Sequence, residues 1–84
     1  MKLAYIEWYD ARELAGDATG KEAKEAGLVF MCTGGLLISE DGEVVRLAAD
    51  YWTWEGEDGT KRERYRDITV LPVNAIKRRL EWET

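Results

Sequence analysis

Between Asp50 and Arg66 the chain reads DYWTWEGEDGTKRERYR, the stretch whose residue types could do most chemistry. Taking Gly56–Thr60 as a loop and setting Glu55 opposite Lys61 places Trp54 across from Arg62, Trp52 from Arg64 and Asp50 from Arg66. Tyr51 and Tyr65 then pair on the other face. One face of such a hairpin alternates indole and guanidinium groups, each exposed cation–π contact contributing about 0.5–1 kcal/mol. Trp, Tyr and Arg dominate binding hot spots, so Trp52, Trp54, Arg62, Arg64, Tyr65 and Arg66 are the candidate binding residues. The alternative is a ladder that stiffens a protruding hairpin, with one Trp covering an open end of the domain. A register slip of one residue would scatter the ladder.

Other groups offer little. The sequence has no histidine, which excludes Ser/His/Asp and Cys/His nucleophile systems and the usual His-bearing zinc sites. Asp10, Asp17, Glu40, Asp41 and Glu43 fall in predicted turns, where solvation accounts for them without acid–base work. Glu40–Glu43 lacks the alternating oxygen ligands of a calcium loop. Cys32 has apolar neighbours and is expected to pack in the core, and one cysteine cannot make an intrachain disulfide. Gly34-Gly35 lacks the Lys-Ser/Thr and following helix of a phosphate loop. No catalytic residue, metal or cofactor is therefore expected.

Eighty-four residues predict one small domain with a modest core. The net charge of −5 is unevenly spread: residues 1–60 carry 5 basic and 13 acidic side chains, residues 61–84 carry 7 and 4. Overall acidity argues against broad nucleic-acid affinity, although the C-terminal quarter can present a basic patch. The absence of an apolar run of membrane-spanning length and of a signal-like N-terminus, with the lone cysteine, predicts a cytoplasmic protein with no membrane partner.

The elements that must position these residues are mostly strands. Leu3–Tyr9 alternates as a first strand with Ile6 and Trp8 on the buried side. Thr19 followed by Glu22 is a capping box for a short helix over Gly20–Ala26, with Gly27 at its C′ position. Leu28–Ser39 is rich in β-formers and carries two central glycines, which predicts a long strand with a bulge or bend. Asp41-Gly42 predicts a primed hairpin turn. Val44–Glu55 follows as a third strand, and Lys61–Leu71 as a fourth. Pro72 and the Val73-Asn74-Ala75 turn then lead to a fifth strand, Ile76–Trp82. The expected core is Ile6, Trp8, Val29, Met31, Leu36, Ile38, Val45, Leu47, Ile68, Val70, Ile76 and Leu80.

Four short motifs, Trp8-Tyr9-Asp10, Gly35-Leu36-Leu37 before an acidic turn, Val45-x-Leu47-Ala48 and Leu71-Pro72-x-x-x-Ile76, resemble those of short phage and prophage proteins. The likeness spans most of the chain except Asp10–Gly27. It departs at Leu71, where an Ile precedes the Pro, and in the aromatic, basic hairpin. It implies an SH3-like or Sm-like small β barrel and a phage accessory role, with no catalytic residues carried over.

The resulting expectation is mainly β: a five-stranded, strongly bent antiparallel sheet closing into a small barrel, with one short helix between strands 1 and 2. The expected function is a non-catalytic protein-interaction module that binds a host or phage protein, for example a defence protein, as a monomer or homo-oligomer. The alternative is an Sm-like binder of RNA, single-stranded nucleic acid or a small nucleotide. In that reading the aromatics stack bases, and Arg62, Arg64, Arg66, Lys77, Arg78 and Arg79 meet phosphates.

Overall fold

A computed structural model describes residues 1–84. Five strands, β1 (Lys2–Asp10), β2 (Val29–Glu40), β3 (Val44–Glu55), β4 (Lys61–Pro72) and β5 (Ile76–Glu83), form one antiparallel sheet in the order β4-β3-β2-β1-β5. A single helix, α1 (Gly20–Glu25), lies between β1 and β2, and a 3-10 turn (Val73–Ala75) joins β4 to β5. β4 and β5 are the two edges and do not pair with each other, so the ladder of hydrogen bonds does not close.

The core is small: Ala4, Ile6 and Trp8 of β1 meet Val45 and Leu47 of β3 and Leu71 of β4. β2 separates β1 from β3, and no helix residue is buried. A flat single-layer sheet would leave these side chains wet, yet Ile6, Val45 and Leu71 are fully buried. The sheet must therefore fold its inner face onto itself, and β2 is where it bends. At Gly35 a Cβ would stand 2.8 Å from the Ala48 carbonyl oxygen, a closeness no side chain tolerates. The β2–β3 register also shifts between Leu37 and Ser39. Trp8 satisfies its indole N–H inside this fold by donating to Thr33 Oγ1 at 2.9 Å.

Several expectations need correction. Ile68, Val70 and Leu80 are exposed, while Leu71, Ala4 and Ala48 are buried. β4 turns the face opposite to the expected one inward: Leu71 lies opposite Val45 and Thr69 opposite Leu47, so the inward set of β3 draws Leu71 and Thr69 inward with it. Val29, Met31, Leu36, Ile38 and Ile76 are only half-buried, Met31 and Ile76 among them packing against the core. Cys32 is exposed rather than core. It neighbours Tyr5, and its sulfur, together with partial burial and the Glu7 carboxylate, pushes the Tyr5 phenol up to about 12.

The turns also differ in mechanism. Thr19 caps α1 as expected by accepting from the Glu22 amide at 3.1 Å, but Gly27 has no left-handed backbone. Neither Asp41 nor Gly42 has a positive φ, so the first hairpin is not built on a primed turn. Instead Asp41 Oδ1 accepts from the Glu43 and Val44 amides at 2.8 and 2.9 Å. Those two bonds hold the Asp41 carboxyl below its usual range. At the second hairpin Gly59 has φ 78° and Asp58 Oδ1 accepts from the Thr60 amide.

At one end Arg79 ties β5 to the end of β2 across β1. It projects inward from β5 and makes bidentate bonds of 2.7 and 2.6 Å to Glu40 at the end of β2, with Glu81 at 2.9 Å. This pairing raises the Arg79 pKa and lowers that of Glu40.

Candidate functional site

The strands β3 and β4 run beyond the core as a hairpin, and the molecule is accordingly long, 63 × 27 × 20 Å. The expected pairing is observed residue for residue: Asp50 with Arg66, Tyr51 with Tyr65, Trp52 with Arg64, Trp54 with Arg62 and Glu55 with Lys61. Tight closure comes from the Gly56 amide donating to the Thr60 carbonyl at 2.9 Å. At the hairpin's base the register continues on either side of Ala49 and Asp67, which do not pair, and Asp67 has φ 54°.

Facing pairs share a side of a β ribbon, so Trp52, Trp54, Arg62, Arg64 and Arg66 line one face. Arg62 stacks over Trp54 at 5.2 Å, as its opposite partner. Trp52 is covered not by Arg64 directly across but by Arg66 on the diagonal, at 5.6 Å. Arg66 also donates to Asp50 Oδ2 at 3.0 Å, which raises its pKa, and Arg62 lies 3.8 Å from Asp58. Arg64, between these pairs, makes neither an ion pair nor a cation–π contact. Trp52 and Trp54 remain 43% and 42% exposed, and neither joins the core.

Tyr65 lies on the opposite face, its ring 5.1 Å from that of Tyr51. Tyr51 donates to Glu63 Oε1 at 3.0 Å, and that bond, with some loss of solvent, raises its phenol pKa. The six candidate residues are thus brought onto one hairpin but onto two faces, five and one.

A second cation–aromatic group went unread in the sequence. Tyr9 and Phe30 pair edge to face at 5.7 Å, with the Lys77 ammonium 5.9 and 5.6 Å from their rings. The signal that could have found it is the β1–β2 register, which the long connector between them leaves unspecified. Of the other basic residues proposed for phosphates, Arg78 lies 3.6 Å from Glu7 and Arg79 is held by Glu40 and Glu81.

The fold and site together define a small open β domain that carries an aromatic–guanidinium ladder on a projecting arm. No family model, curated protein or solved structure matches this chain. No helix is long and apolar enough to cross a membrane.

Proposed function

We propose that this chain is a non-catalytic protein-interaction module whose docking face is Trp52, Trp54, Arg62, Arg64 and Arg66. The observation that carries the reading is the pair of half-exposed indoles held flat under Arg62 and Arg66, away from the core. Ordering two aromatics and two arginines before a partner arrives lowers the entropy cost of docking, and these residue types give the most binding energy per side chain. The likeness to short phage proteins makes a host or phage protein in the host cytoplasm the expected partner. The curl of the sheet is read as SH3-like or Sm-like, supported by the self-covering inner face and the one-turn link between β4 and β5.

The test is affinity capture from bacterial lysate with wild type beside the Trp52→Ala/Arg64→Ala variant, with and without nuclease, after circular dichroism shows both folded. A protein that survives nuclease and is lost from the variant is the expected result. Equal capture by both would contradict the assigned face, and recovery of nucleic acid alone would contradict a protein partner.

A further inference from the structure

β4 is an open edge: its backbone pairs with β3 on one side, at every position but Asp67, and with nothing on the other. Such edges template strand addition unless something blocks them. Here the outer half of the edge, Lys61 to Arg66, carries Lys61, Arg62, Arg64 and Arg66 against a single Glu63. Arg62, Arg64 and Arg66 recur at alternate positions, on the face that also holds Trp52 and Trp54. Arg62 and Arg66 have local carboxylates in Asp58 and Asp50, and Lys61 has Glu55 directly opposite, whereas Arg64 faces Trp52 and makes no ion pair.

A second copy is a poor occupant for this edge. Antiparallel β4–β4 pairing centred on Arg64 would set Arg62 against Arg66 and Arg64 against itself, and like charges directly opposite destabilise a sheet. The acidic side chains of β5 are no better suited, since Glu81 is engaged by Arg79 and Glu83 lies 3.9 Å from the amino terminus. Nor does the arm attract a long polyphosphate: Asp50, Glu55, Glu57, Asp58, Glu63 and Asp67 surround its four cations, and the whole chain is at −5. One carboxylate delivered at Arg64 by a paired strand avoids those acids.

We infer that the occupant is an extended segment of another protein, which adds to the free edge of β4 over Lys61–Arg66 and sets one carboxylate against Arg64, since Arg62 and Arg66 already face Asp58 and Asp50. The main chain of the segment supplies general affinity, and the carboxylate at Arg64 supplies selection. This rests on the reading of the hairpin as the docking element and adds the partner's chemistry and mode.

The probe is a threonine octapeptide with one central glutamate, titrated into the full-length protein and followed by amide NMR shifts and hydrogen exchange. Its glutamine counterpart and a deoxythymidine octamer are run in parallel. The expected result is shifts centred on Lys61–Arg66 and slowed exchange at the β4 amides that do not donate to β3. Binding should weaken about tenfold for the glutamine peptide and for Arg64→Gln, and should be unchanged for Lys24→Gln on the exposed helix. Equal binding of the two peptides, a tighter oligonucleotide, no effect of Arg64→Gln, shifts without edge protection, or a β4-paired dimer in sedimentation would each overturn the inference. If the peptide fails while Trp52→Ala/Arg64→Ala still loses a captured protein, the added strand is wrong and the docking face stands. If capture is unchanged, the docking face itself is wrong.

Discussion

At the scale of residues, burial separates positions that sequence type alone makes equivalent. Leu71 is fully buried against β1 and β3, whereas its neighbour Val70 and nearby Ile68 are each 54% exposed. Leu71→Ala should cost about 2–5 kcal/mol in urea unfolding, while Ile68→Ala should stay within about 1 kcal/mol. A second residue-scale expectation concerns acid. Asp41 and Glu40 both have folded pKa values below their unfolded ones, Asp41 through backbone amides and Glu40 chiefly through Arg79. Their contribution is therefore complete above the unfolded carboxylate values, about 4, and is lost as pH falls through the lower folded values. Thermal unfolding followed from pH 6 to pH 2 should show this fall, and Asp41→Asn should flatten it. A variant that loses stability with the same slope as wild type would deny Asp41 that role.

At the scale of elements, most of the fold was legible because the turn chemistry is local. All five strands, the helix capped by Thr19 and the Val73–Ala75 turn lie where the sequence predicts, within a residue or two. The hairpin register followed from one loop assignment, and every pairing from Glu55–Lys61 to Asp50–Arg66 holds. The same register carried inward sets Leu71 opposite Val45, so Val45 and Leu47 cannot share a core face with Ile68 and Val70. Side-chain hydrophobicity favoured Ile68 and Val70 over Thr69, and the register overrules it. What the sequence could not show is closure. β4 and β5 end as separate edges, and whether two distant strands pair leaves no local signature in sequence. Nor did it reveal the irregularity at Asp67, where a non-glycine residue takes a left-handed backbone at the hairpin's base. Asp67→Val should cost about 1–2 kcal/mol because a β-branched residue is disfavoured there. Asp67→Gly should be tolerated, and equal melting temperatures for the two variants would deny the strain.

At the scale of the whole molecule, the core and the arm are separate structures. Every core residue, from Ala4 to Leu71, lies outside the stretch from Tyr51 to Arg66. The arm's own ladder of Trp54–Arg62 and Trp52–Arg66 contacts therefore stiffens the arm without supporting the core. Replacing residues 52–64 with an Asn-Gly turn between Tyr51 and Tyr65 should leave circular dichroism β-like and cost no more than about 1 kcal/mol, since shortening a surface connection changes loop entropy only slightly. Loss of the fold on that truncation would make the hairpin a structural element. The most direct measurement of the docking face is the affinity of purified wild type and Trp52→Ala/Arg64→Ala for the protein that wild type captures, taken beside their melting temperatures. Two additive hot-spot truncations of about 2 kcal/mol each predict a loss of about a thousandfold, with melting temperatures nearly equal. Equal affinity, or a loss matched by unfolding, would contradict the account.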